Sequence, residues 1–254
     1  MSWASRRRFI IFSIVGIVSA GILAALAFVV VYKAPSCSDG VQNQGEAGID
    51  CGGPCAYLCT DQLHAPVVLF TKTLSQGNGR VDVIASVQNT NMTAAAKQVP
   101  YTITLYGAHQ ILVKEVTGTV DLPPFSTVPV FVPNISSGNQ QATTAFLTIA
   151  PSAPRWFTLS TDSRVVPVVT NTTLDGASST PRVDAILANA SVTTLSSVPV
   201  IVIVHDTQGQ VIAASETIVP TITAQGQATA TFTWNTPFAG SPGTIEVVPV
   251  VPLP

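Results

Sequence analysis

The feature that most restricts this chain is an uninterrupted run of 24 residues without a charge, FIIFSIVGIVSAGILAALAFVVVY, from Phe9 to Tyr32. As a helix rising about 1.5 Å per residue, such a run crosses a hydrocarbon core of roughly 30 Å with some tilt. Its length exceeds the apolar region of a cleaved signal peptide, and Val29-Val30-Val31-Tyr32-Lys33 follows where a small-residue cleavage site would be needed. The expectation is an uncleaved anchor: a cytoplasmic tail at 1–8, a transmembrane helix at 9–32 and everything later outside.

Orientation follows from charge. Arg6, Arg7 and Arg8 abut one end of the run and Lys33 is the one base beside the other, so the positive-inside rule keeps the N-terminus in the cytoplasm. All 13 acidic residues come after the run, and only 9% of the chain is charged. No other cluster of Lys and Arg exists, which argues against a nucleic-acid partner. Within the run Gly16, Ala20 and Ala24 recur every four residues, as do Gly21 and Ala25. That spacing suits a small-residue seam for a second copy, against the alternative of ordinary Gly and Ala use in a membrane helix; the membrane itself is the partner expected in either case.

All four cysteines fall in one stretch, Cys37, Cys51, Cys55 and Cys59, spaced C-x13-C-x3-C-x3-C. An even number outside the cytoplasm favours two disulfides, with three connectivities open. Zinc sites usually place close cysteine pairs at both ends, and Cys37 stands alone. The spacer at 33–59 also carries Asp39, Asn43, Glu46 and Asp50 without a base among them. These four are a candidate calcium set, since calcium takes oxygen ligands, and the alternative is an acidic loop whose Asp and Asn form turns. No other cofactor is expected.

The stretch from Asp39-Gly40 through Gln42-Asn43, Glu46, Gly48 and Asp50-Cys51-Gly52-Gly53 to Cys55 resembles a DGxQNxxExGxDCGGxC motif of bacterial surface proteins. The resemblance implies an extracytoplasmic spacer or cap in a bacterium, and no activity.

The remainder repeats at about 100 residues, a period that fits tandem domains rather than a solenoid. TDQLHAPVV from Thr60 aligns with TDSRVVPVV from Thr161, Arg80-Val81-Asp82 with Arg182-Val183-Asp184, and Val99-Pro100 with Val198-Pro199. Both copies alternate apolar and polar residues with period two, as in Val81, Val83, Ala85 and Val87 or in Ala228, Ala230, Phe232 and Trp234. Val200 to Val204 is apolar throughout, which predicts a strand covered on both faces. Gly107–Gln110 and Asp206–Gly209 read as hairpin turns. Short strands punctuated by Gly, Pro, Asn and Ser predict an all-β ectodomain of two tandem immunoglobulin-like β-sandwiches, at 60–158 and 159–254. Each is expected to fold on its own, with Trp156 and Phe157 packed between the two or opening the second.

Ile103-Thr104-Leu105-Tyr106-Gly107, followed by DLPPFSTVPVF from Asp121, resembles the FxLYD domain, a small β-sandwich of microbial membrane-anchored proteins. Gly107 stands where the signature has Asp; Val202-Ile203-Val204-His205-Asp206 keeps the Asp and loses the Tyr. The resemblance implies a fold, not a reaction.

Catalytic patterns are missing from the sequence. His64, His109 and His205 lie far apart, and His205-Asp206 reads as a turn because the other copy has Tyr106-Gly107 there. Asn91, Asn134, Asn171 and Asn189 head glycosylation sequons that matter only in a eukaryotic host. The expectation is a non-catalytic binding, adhesion or spacer module for a protein or glycan on the cell surface. An accessory subunit of an envelope complex is the alternative, and an extracytoplasmic enzyme comes third.

Overall fold

The computed structural model describes residues 3–31, 36–77, 79–138, 140 and 142–254, so Lys33 and Tyr32 of the expected anchor boundary lie outside the described residues. It divides into two compact units, 1–57 and 58–254.

The first unit opens with helix α1 (Trp3–Val31), whose residues Arg6–Val29 are long and apolar enough to span a membrane. None of the apolar window Arg6–Val29 is buried within the protein. A helix apolar all round, with no protein face to bury it, is the pattern that lipid satisfies. Residues 36–57 form a loop of tight turns with one isolated bridge between Gly48 and Cys51.

The second unit is all β apart from two single 3-10 turns, at Thr60–Gln62 and Ala108–Gln110. Its first repeat holds β1 (Val67–Gly77), β2 (Arg80–Asn89), β3 (Ala94–Tyr106), β4 (Leu112–Leu122), β5 (Ser126–Ser136), β6 (Thr144–Thr148) and β7 (Trp156–Thr158). The second holds β8 (Val168–Asp175), β9 (Arg182–Ala188), β10 (Leu195–Asp206), β11 (Val211–Ile222), β12 (Gln227–Thr233) and β13 (Pro242–Pro249). The sheets β1-β2-β5 and β4-β3-β6 of the first repeat match β8-β9-β12 and β11-β10-β13 of the second, all antiparallel. The predicted turns do join β3 to β4 and β10 to β11.

Each repeat has its own core. Val83, Ala85, Val87, Ile103, Leu105 and Leu122 anchor the first, and Val183, Ala185, Leu187, Val200, Val202 and Ile222 the second. Even an irregularity is copied: β1 slips register between Val68 and Phe70, and β8 between Val169 and Asn171. A bulge re-aims the side chains after it, so its presence in both copies fixes which residues face out. Ile84 pairs with Phe131 and Asp184 with Thr231, which makes Ile84 the counterpart of Asp184. The alignment of Arg80-Val81-Asp82 on Arg182-Val183-Asp184 is therefore two residues out: the second register shift in β1, between Ser75 and Gly77, and one in β2's pairing between Val81 and Val83 have no counterpart in β8 and β9.

Trp156 corrects a second expectation. It neither separates the repeats nor opens the second, because β7 pairs with the start of β3, Trp156 opposite Ala96, and the indole is 2% exposed within the first core. Three consecutive alanines, Ala94, Ala95 and Ala96, leave the room beside it.

Candidate functional site

Among the four candidate calcium residues of the Cys-rich loop, the carboxylates of Asp39, Glu46 and Asp50 accept from N–H groups, and their oxygens do not converge into one ligand cluster among the described residues. Asp39 accepts from the Ser36 and Val41 amides at 3.1 and 2.9 Å and from the Asn43 side chain at 2.9 Å. Both Asp50 oxygens accept from the Gly40 amide, at 3.2 and 3.0 Å. Glu46 is buried and accepts from the Asn43 and Asp50 amides at 3.4 and 3.2 Å. Carboxylates used in this way replace a hydrophobic core: they satisfy the backbone donors of a loop too short to form strands. Asn43 Oδ1 is buried without a partner.

Cys37 is bonded to Cys55, with Cα atoms 5.7 Å apart, and Cys51 and Cys59 are disulfide-bonded as well, so no thiol is free. Glu46 Oε1 lies 3.1 Å from Cys55 Sγ. Cys37, Glu46 and Cys55 thus cluster, but disulfide sulfurs are not the thiolates that bind metals. Gly53, at φ +57, packs so tightly on the Gly45 carbonyl that any side chain would collide with it, which gives the Gly-Gly pair a steric reason.

In the second unit a third, smaller core is shared by the repeats. Ile84 on β2 meets Ile201 and Ile203 on β10 with Val211 and Ala214 on β11, and Phe70, Leu74, Phe131 and Val250 close around them. Ile84, Ile201 and Ile203 are 0%, 4% and 2% exposed. Val200 to Val204 is thus covered on both faces, and its second cover is the other repeat. The outer face of β1-β2-β5 docks on the outer face of β11-β10-β13. At the equivalent positions of the two faces left over, Thr102 and Thr104 replace Ile201 and Ile203, while Asp184 and Thr231 replace Ile84 and Phe131; Phe146, 55% exposed, stands opposite Thr104.

No family model and no curated protein matches this chain.

A cleft runs along the seam between the repeats, lined by Tyr101, Asp121, Phe131, Arg164, Ile201 and Val250. Tyr101 lies across Gly118 on the neighbouring strand, where a side chain would collide with its ring. Burial, and then the charge of Glu216, push the Tyr101 phenol above its ordinary range. Asp121 accepts from the Gln98 and Leu253 amides at 2.7 and 2.8 Å. Arg164 donates to the Val251 carbonyl at 2.6 Å and pairs with Asp162 at 2.6 Å. These hydrogen bonds from Arg164 hold the Asp162 carboxyl below the usual carboxylate range. Asp121 and Arg164 thus strap residues 251–253 across the seam.

The histidines do not converge. His205 Nδ1 sits 3.3 Å from the Gly209 carbonyl and Nε2 3.8 Å from Glu246, half-buried rather than solvated as a turn residue would be, while Asp206 accepts from the Gln208 and Gln210 amides to form the turn. Two sequon residues, Asn91 and Asn189, are buried and hydrogen-bonded, and Asn189 has a counterpart in Asn89. Asn89 and Asn189 donate into three carbonyls each at matching corners, and Asn91 is buried and bonded to His64. Asn134 and Asn171 are exposed. The Asn89–Asn189 correspondence was visible in the sequence only as a 100-residue echo of one amino acid.

Proposed function

We propose that this chain is a single-pass, extracytoplasmic and non-catalytic binding or spacer module whose two immunoglobulin-like, FxLYD-like repeats act as one body on a Cys-rich stalk. The observation that carries this reading is the shared core of Ile84, Ile201 and Ile203, whose counterparts in the other repeat are Asp184, Thr102 and Thr104. Burying roughly three large aliphatic side chains at about 1.5–3 kcal/mol each holds two domains in a fixed relation. Fixed geometry suits a part that holds a surface at a set distance, and loops at the strand ends then supply contacts to a protein or glycan. The arginines before α1 support a cytoplasmic N-terminus with both repeats outside, in a bacterial cytoplasmic membrane.

The second reading, an accessory subunit held laterally through α1, draws on the helix itself: Gly16 and Gly21 present open surface along it. A membrane-impermeant cross-linker applied to intact cells distinguishes the two. The binding or spacer reading predicts partners linked to the β repeats. A partner that co-purifies equally well after both repeats are deleted assigns the chain to an envelope complex through its helix.

A further inference from the structure

The two repeats provide each other's control, and one loop pair breaks their symmetry. In the first repeat the β2–β3 loop carries Met92 and the β4–β5 loop carries Phe125, each 68% exposed. Neither loop, 90–93 or 123–125, contains a charge. The loops are tied together: the Phe125 amide donates to the Asn91 carbonyl at 2.8 Å, and the Pro123 carbonyl accepts from Asn89 at 2.7 Å. The second repeat copies this lattice, with the Gln225 amide on the Ser191 carbonyl at 2.9 Å and Thr223 on Asn189 at 3.0 Å. What differs is the tip, where Val192 and Gln225 stand in place of Met92 and Phe125.

Phe125 is an expensive choice at its position. It adopts φ +43, as Gln225 adopts +52, and a bulky side chain in this left-handed region is a conformational outlier. Two large apolar side chains held out into solvent, one of them against its backbone preference, are not explained by packing within the repeat. Strain of this kind concentrates where a side chain is needed for contact.

The place of the tip indicates its partner. The chain reaches the first repeat beside it: the His64 amide donates to Asn91 Oδ1 at 2.9 Å and Asn91 Nδ2 donates to the His64 carbonyl at 2.8 Å. This is the end of the repeat from which the chain leads back through the Cys-rich loop to α1, so the tip is tethered to whatever surface α1 occupies. Tethering makes even a weak contact frequent.

We infer that Met92 and Phe125 form an uncharged wedge that inserts into the lipid surface in which α1 is anchored. A rigid Phe beside a flexible Met suits shallow burial at the headgroup–acyl boundary, where apolar faces carry Trp, Phe and Leu. The absence of charge from the loops spares the insertion any desolvation of an ion. The second repeat, farther along the chain, has Gln225 at that position and makes no such contact. The inference rests on the membrane reading of α1.

The test uses the full chain reconstituted into vesicles of phosphatidylethanolamine and phosphatidylglycerol, with and without brominated acyl chains. Phe125→Trp and Gln225→Trp place the same reporter at equivalent positions, and the parent protein supplies the background of Trp3, Trp156 and Trp234. Flotation with the vesicles first verifies the anchor, and failure to float overturns the anchor reading itself. With flotation, bromine quenching several-fold greater for Phe125→Trp than for Gln225→Trp is the expected result. Equal quenching overturns the wedge and leaves the anchor standing. Shielding of the Phe125→Trp reporter that grows with protein-to-lipid ratio, without bromine quenching, also overturns it and assigns the tip to a second copy. Met92→Trp repeats the measurement without altering the left-handed position.

Discussion

Asn89 and Asn189 hold the same corner of the two repeats by the same three hydrogen bonds, each side-chain nitrogen reaching a nearby carbonyl and two more that lie 33 and 34 residues ahead. Both side chains are buried, so removing either one strands carbonyls that water does not reach. Asn189→Ala is expected to cost roughly 2–4 kcal/mol, as for loss of a buried hydrogen-bonded network. Denaturant melts of wild type and variant measure it. A loss below about 0.5 kcal/mol, the range of ordinary surface changes, contradicts the assigned role.

The shared core alters the expectation that the second repeat folds alone. A fragment beginning at Leu159 leaves Ile201 and Ile203 without their cover from Ile84. Such a fragment is expected to self-associate, and replacing both isoleucines with the threonines found at Thr102 and Thr104 is expected to restore a soluble monomer. Light scattering on the two fragments checks this; equal solubility contradicts the docking.

For the Cys-rich loop, the Asp39, Glu46 and Asp50 carboxylates already engaged by amide donors predict folding without metal. Chelator added to the oxidised protein is expected to leave its melting temperature unchanged, and peptide mapping is expected to recover Cys37 linked to Cys55. A chelator-sensitive rise in melting temperature at millimolar calcium restores the cation reading of Asp39, Asn43, Glu46 and Asp50.

The Asp162–Arg164 brace gives a signed pH effect. Asp162 has a depressed pKa in the folded state, so its contribution is present above the ordinary carboxylate pKa of about 3.9 and lost as pH falls through the folded value. Because Asp162 is exposed, the effect is small. Asp162→Asn is expected to flatten the acid limb of the stability profile slightly and to leave its shape above pH ~6 unaltered.

How much of this was legible in sequence depends on the range of the interaction. The uncharged run before Lys33, the hairpin turns and the two-sided burial of Val200 to Val204 are local patterns of hydrophobicity and turn chemistry, and each can be read in a short window. The docking of Ile84 on Ile201 and Ile203 is not local. Alternation identifies the face on which Ile84 lies but not what covers it, since an apolar residue on an outer face reads the same whether docked or solvated. Trp156 was misplaced because a three-residue strand returning to β3 has no periodicity of its own. The Cys37–Cys55 bond was one of three pairings that spacing left equal, and the Arg-Val-Asp match was a short identity that the bulges override.

Docked through Ile84, Ile201 and Ile203, the two repeats form one body. Trp156 lies in the first core and Trp234 packs against the second, so the protein carries one native reporter for each. Thermal melts of the full chain in lipid nanodiscs, followed in Trp234→Phe and Trp156→Phe variants that also carry Trp3→Phe, observe the repeats one at a time. The account predicts coincident midpoints that fall together when Ile203→Asp is introduced. Separate midpoints, with Ile203→Asp lowering only that of the second repeat, would contradict it.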